Sequence, residues 1–127
     1  MIVVDASAAL LGLLGNGDAR RILQSEVLHV PALADSEVAS ALRKSERNGS
    51  VKTEDALRAL GVWGCLGIHR HLAVGLLDRI WDLRQNFTAY DATYVALAEA
   101  LGCDLLTANY SLTRSPGIPC PVRVVTS

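Results

Sequence analysis

The sequence predicts an α/β domain in which a largely parallel sheet is flanked by helices. Three observations carry that prediction. Five short strand-like segments alternate with stretches of helical periodicity, as β–α–β crossovers require. The chain has 127 residues, half of them hydrophobic, enough to bury one sizeable core. It holds 10 Gly and 4 Pro with no low-complexity run, so nothing reads as a linker and residues 1–127 form one domain. Only 5% of the residues are aromatic, which leaves Leu, Val and Ala to build the core.

The elements follow in order. Residues 2–5 (IVVD) read as a buried strand, and a helix follows from Ser7, its expected cap, to Leu14. Gly15-Asn16-Gly17 breaks it, and Asp18 starts a second helix through Gln24. Residues 27–30 (VLHV) suit a strand closed by Pro31. An amphipathic helix runs from about Leu33 to Arg47 and stops at Asn48-Gly49-Ser50. Thr53 is the expected cap of TEDALRALGVWGCLG, whose three glycines blur its end. A strand over 68–72 (IHRHL) and a helix over 74–84 come next. Thr88 opens TAYDATYVALAEALG, the clearest helix, which ends at Gly102. A strand at 104–107 (DLLT), a turn or short helix around Tyr110–Thr113 and a strand at 121–125 complete the chain. Pro119 and Pro121 mark that last strand as an edge. There is no internal repeat.

Composition narrows the function classes. Cys65, Cys103 and Cys120 are odd in number and form no C-x-x-C pair, which fits free thiols in a reducing cytoplasm better than a zinc site. The opening MIVVDASAALLGLLG lacks a basic leader and is interrupted by Asp5, so it is not read as a secretion signal. No run approaches the roughly 18 apolar residues of a membrane span, so no membrane association is expected. Net charge is −1. If Asp5, Glu37 and Asp91 are gathered in one pocket, the remaining surface is slightly basic, which is compatible with RNA.

Those three carboxylates are the informative residues. Asp5 ends the first apolar strand, where parallel sheets place their ligands; the alternative is a turn-forming Asp. Glu37 stands on the inward stripe of its helix, four residues after Leu33 and four before Ala41. The alternative for it is a favourable charge in the first helical turn. Asp91 heads the stripe Asp91, Val95, Ala98, and with Thr88 it also fits a capping box. If these three inward carboxylates from separated segments converge, they repel one another and call for a cation. Hard oxygen ligands favour Mg²⁺ or Mn²⁺, and such a site suits phosphodiester cleavage.

At these same residues the chain resembles the PIN-domain family in its VapC toxin version. I-V-V-D-A-S-A resembles the first motif of that family, D-S-E-V-A-S-A-L the second, and L-R-Q-N-F-T-A-Y-D-A-T-Y-V-A-L-A-E-A-L-G the third. D-L-L-T-A-N resembles the fourth, with Asn109 where the family usually has Asp. Asp104 is a poor substitute, because it begins the strand that position 109 follows. Asn109 either ligates through its amide oxygen or caps the following turn, and the departure bears on a second metal.

The resemblance implies a PIN-like three-layer fold and a Mg²⁺-dependent endoribonuclease, with Mn²⁺ as substitute. Asp5 and Asp91 would hold metal, Glu37 would handle the attacking water, and Glu37 and Asn109 are further ligand candidates. Ser7 and Arg84 are candidate substrate contacts, Arg84 alternatively a helix-terminal or solvent-facing residue. An RNA substrate, a homodimer through the apolar 74–83 segment and a cognate VapB-type antitoxin are also implied. A non-catalytic RNA-binding or antitoxin-binding module is the main alternative, and a small phosphatase or receiver domain a more distant one. Among lesser candidates, His69 and His71 share one strand face, as a metal pair or as solvent-facing residues. Trp63 and Trp81 suit the core or a dimer contact. Arg43, Lys44 and Arg47 either line an RNA groove or solvate a helix.

Overall fold

A computed structural model describes all residues 1–127. Its five strands are β1 (Ile2–Val4), β2 (Leu28–Pro31), β3 (His69–His71), β4 (Asp104–Thr107) and β5 (Val122–Val124). They form one sheet in the order β3-β2-β1-β4-β5, and every pairing is parallel. The helices are α1 (Ala6–Leu14), α2 (Asp18–Ser25), α3 (Ala34–Arg47), α4 (Thr53–Cys65), α5 (Leu77–Asp82) and α6 (Ala89–Leu101). Single 3₁₀ turns occupy Val74–Leu76 and Tyr110–Arg114.

The strand order decides where everything else goes. From β1 the chain steps outward to β2 and β3, then returns across β1 to place β4 on its other side. Right-handed crossovers therefore put α1–α4 on one face of the sheet and α5–α6 on the opposite face. The packing agrees, with α1 against α2, α3 and α4, and α6 against β1, β2, β4 and α5. The reversal falls between β1 and β4, and the crevice beyond their carboxyl ends is a topological switch point.

The core is aliphatic, as the composition requires. Ile2, Val3, Val4, Val30, Leu105 and Leu106 are fully buried in the strands. Residues Ala92 to Ala98 of α6 are all buried, so this helix is enclosed on more than its sheet side instead of carrying a single stripe. Small residues allow close approach elsewhere: a Cβ on Gly12 of α1 would stand 2.3 Å from Leu23 of α2. Gly102 ends α6 at φ 66°, a left-handed conformation that glycine adopts without strain. No helix is long and apolar enough to cross a membrane.

Several local expectations need correction. Asp5, not Ser7, caps α1, because the Asp5 carboxylate accepts the Ala8 amide while Ser7 lies inside the first turn. Thr53 does not cap α4; it is the first helical residue, after Lys52, and no side chain bonds that end. The helix expected over 74–84 divides into a 3₁₀ turn and the six-residue α5, consistent with Gly75 at its start. Trp63 is a core residue whose indole donates to Asp35 at 2.8 Å, whereas Trp81 is exposed. The strand at 122–124 is an edge strand, as its prolines suggested.

Candidate active site at the carboxyl end of the sheet

Asp5 leaves β1 at the switch point and is 8% exposed. One carboxylate oxygen, Oδ1, accepts the Ala8 amide at 3.0 Å and the Ser7 hydroxyl at 2.6 Å. Its second oxygen accepts no protein hydrogen bond and is left available. The Asp5 amide itself donates to the Leu106 carbonyl, which ties the ends of β1 and β4 together.

Ser7 strengthens that tie. Its hydroxyl accepts the Ala108 amide at 2.9 Å and lies 3.3 Å from the Thr107 hydroxyl. Thr107 is fully buried, and its hydroxyl accepts the Asn109 amide. The motif at the end of β1 is thus locked to the motif at the end of β4 through side-chain hydroxyls. Asn109 caps the following 3₁₀ turn, its Oδ1 accepting both the amide and the hydroxyl of Ser111. The capping alternative therefore describes the bonds that Asn109 makes. Asp104 lies at the opposite end of β4, as expected.

Asp91 enters the same crevice from the first turn of α6. Its amide donates to the Thr88 hydroxyl at 3.1 Å, which completes the expected cap. Burial holds its carboxyl above the ordinary aspartate range, and the negative charge of Asp5 pushes it further the same way. The Thr88 hydroxyl offsets part of the effect. That coupling brings the carboxylates of Asp5 and Asp91 into one electrostatic environment.

Glu37 is half-buried in the first turns of α3, and it has the partner its inward position required. The Tyr94 hydroxyl of α6 donates to Glu37 Oε1 at 2.6 Å. Burial raises the Tyr94 phenol far above its usual value, and the hydrogen bond to Glu37 and the charges of Glu37 and Asp5 raise it further. Tyr94 therefore stays neutral and keeps its proton as a donor, while the Ala6 backbone bond to its oxygen offsets part of the rise. It hydrogen-bonds Glu37 and feels the charge of Asp5.

None of the six ion pairs in the protein involves Asp5, Glu37 or Asp91. The pocket thus gathers negative charge that no Lys or Arg neutralises. A free carboxylate oxygen on Asp5, beside a carboxyl strained by burial and repulsion, fits a hard divalent cation. The donor set contains no sulfur or imidazole, so it does not suit zinc. The expected convergence of three carboxylates is not reached: no three His, Cys, Asp or Glu side chains are grouped closely enough to hold a metal ion together.

The other candidates lie differently. Arg84 turns back on its own helix, donating to the Trp81 carbonyl at 2.9 Å and covering the Trp81 ring. His69 and His71 do share a strand face, and His29 of β2 joins them there. His29 Nδ1 and His71 Nε2 are 2.8 Å apart, and the rings stack instead of converging on a point.

Comparison with known proteins identifies the family. The PIN-domain family model matches residues 2–117. The chain is 51% identical to Ribonuclease VapC9 of Mycobacterium tuberculosis over 98% of both chains. It is 38% identical to Ribonuclease VapC1 of the same organism, over 97% of this chain and 96% of that one. The Rickettsia felis VapBC2 structure superposes with a TM-score of 0.70, at 15% identity over 99% of this chain and 100% of that one. Four motifs in order, an acidic pocket at the switch point and these likenesses together place the chain in the PIN-domain family, among its VapC ribonucleases.

Proposed function

We propose that the chain is an endoribonuclease that hydrolyses RNA phosphodiester bonds with Mg²⁺, or Mn²⁺ in its place, as the toxin half of a type II toxin–antitoxin pair. The observation that supports this reading is that Asp5 and Asp91 feel each other's charge while neither they nor Glu37 enters any ion pair. Bound between Asp5 and Asp91, a divalent cation would supply charge neutralisation for the pocket and for the phosphate being cleaved. Asp5 would be the rigid ligand, because two hydrogen bonds fix its Oδ1 while Oδ2 carries no protein hydrogen bond. Glu37 is held by Tyr94 through one oxygen, and its other oxygen orients the attacking water and accepts its proton. Ser7 and Thr107 set the distance between the ends of β1 and β4. Asn109 shapes the loop beside them.

The same pocket explains how such an enzyme is silenced. A basic segment of a cognate VapB-type antitoxin would present an Arg to Asp5 and Asp91, taking the place of the cation. A homodimer fits the opposite observation, an exposed apolar strip of Leu72, Val74, Leu77 and Trp81 beside α5. Three free thiols fit action in the cytoplasm. The test is cleavage of cellular RNA with added Mg²⁺, with chelator and with the antitoxin, followed by mapping of the RNA ends. Metal-stimulated cuts at reproducible positions, abolished by chelator, support the reading. RNA binding without cleavage would replace it with a non-catalytic module.

A further inference from the structure

We propose that substrate RNA leaves the cleavage site along α3, held through its phosphates by Ser40, Arg43, Lys44 and Arg47. This rests on the reading above that RNA is the substrate. The four residues and Asn48 line a hollow of about 440 Å³ that has no acidic and no apolar wall. The cations in it are free. Arg21, Arg58, Arg70, Arg79 and Arg123 each face a carboxylate, Arg20 bonds the Gly15 carbonyl and Asn16, and Arg84 and Arg114 cover aromatic rings. Arg43, Lys44 and Arg47 have no such partner; the other cation without one, Lys52, stands apart at the start of α4.

Their phase on the helix ties them to the active site. At about 100° and 1.5 Å per residue, Lys44 stands roughly 20° around α3 from Glu37 and about 10 Å further along it. Ser40 and Arg47 lie roughly 60° and 80° around on the same side, Arg47 about 15 Å from Glu37, while Arg43 stands roughly 120° around, toward Glu46. Val38 and Leu42 face the core on the other flank, and Glu46 lies roughly opposite Glu37. A favourable interaction with the helix C-terminus accounts for cations in the last turn. It does not account for a hollow of unpaired cations that begins one turn beyond Glu37 on the same flank. A positively charged groove that follows the backbone is how single strands are held without base readout.

The variant R43Q/K44Q/R47Q tests the track, with single-stranded RNA probes of about five and about twenty nucleotides spanning a mapped cut. All three side chains are exposed, and an unchanged melting temperature verifies that the fold is kept. On the long probe kcat/KM should fall at least about tenfold, while the short probe should be cut as by the unsubstituted chain. For binding of the long probe, measured in the D91N background so that it stays intact, the log Kd against log salt slope should lose about 2, since each phosphate contributes roughly 0.7. An unchanged salt slope, or equal losses on both probes, overturns the proposal. Impaired antitoxin binding with an unchanged RNA slope assigns the hollow to the antitoxin and overturns it as well. Failure of the unsubstituted chain to cut any RNA sinks the enzymatic reading, while the salt slope still decides the track.

Discussion

The Tyr94 hydroxyl donates a 2.6 Å hydrogen bond to Glu37 Oε1, joining α6 to α3 across the mouth of the acidic pocket. This bond does two things at once. It satisfies a buried phenol, and it leaves the other Glu37 oxygen without a protein hydrogen bond. Tyr94 is a positioning residue, because it acts on the reaction only through Glu37.

Tyr94→Phe should therefore lower cleavage by about 10–100-fold, the usual cost of removing an orienting partner. The loss should fall on kcat and leave KM nearly unchanged, since Tyr94 is assigned no contact with RNA. Stability should drop by only about 1 kcal/mol, as Phe fills the same space. Steady-state kinetics beside thermal unfolding would separate the two. A loss of stability large enough to account for the lost activity would make Tyr94 a packing residue alone.

Asp5→Asn and Asp91→Asn should each reduce cleavage at least about 100-fold while the fold persists. Asn caps a helix about as well as Asp, so Asp5→Asn keeps the start of α1. Metal-free Asp91→Asn should melt higher than the parent, because burial and the Asp5 charge both disfavour its ionised carboxyl. Adding Mg²⁺ should then stabilise the parent more than either variant. Cleavage at the parental rate in either variant would remove it from the site.

Much of this site was legible in the sequence because each carboxylate broke a local pattern. Asp5 interrupts an apolar run, Glu37 stands on an apolar stripe, and Asp91 heads another. Strands β1, β2 and β4 were legible for a related reason, since parallel strands buried on both faces read as short, largely apolar runs, whereas the edge strands β3 and β5 are more exposed and mixed in sequence. Tyr94 was not singled out, although its place one turn after Asp91 was a usable signal. A Tyr inside a buried helix needs a hydrogen-bond partner, and the only question was which one. The true cap of α1 was hidden because Asp5 and Ser7 are both good capping residues, and only the backbone at position 5 decides between them. His29 could not be grouped with His69 and His71 without the register of β2 against β3, which depends on contacts 40 residues apart.

That histidine group predicts a pH dependence. His29 has its pKa lowered from 6.5, first by burial, then by the charges of His69 and His71, with a smaller contribution from the N-terminal ammonium. A lowered basic group binds fewer protons in the folded than in the unfolded state, so stability rises with pH through that interval. The contribution is fully present above about pH 7 and is lost as pH falls below 6.5. Melting temperatures between about pH 5 and 8 should therefore decline on the acid side, and His29→Gln should flatten the slope. Parallel curves for both proteins would show that the group does not titrate with folding.

Asn109 gives the sharpest prediction, because it is where this chain departs from its family. Its Oδ1 is engaged with the amide and hydroxyl of Ser111, so as placed it holds the loop and gives the pocket no charge. Asp at this position can make the same cap through one oxygen, since Asp and Asn cap helical turns about equally well. The substitution should leave stability nearly unchanged and add a negative charge beside Asp5 and Asp91. Mg²⁺ gives up its waters reluctantly and is held by carboxylate charge together with substrate phosphate. Asn109→Asp should therefore tighten Mg²⁺ binding to the RNA-free protein and raise cleavage when Mg²⁺ is limiting. At saturating Mg²⁺ the two proteins should converge, because substrate phosphate then completes the site in both. Calorimetric titration with Mg²⁺ and Mn²⁺, paired with cleavage rates across metal concentration, makes the measurement. Unchanged affinity and rate would place position 109 outside the reach of the cation, with the Ser111 cap as its whole role.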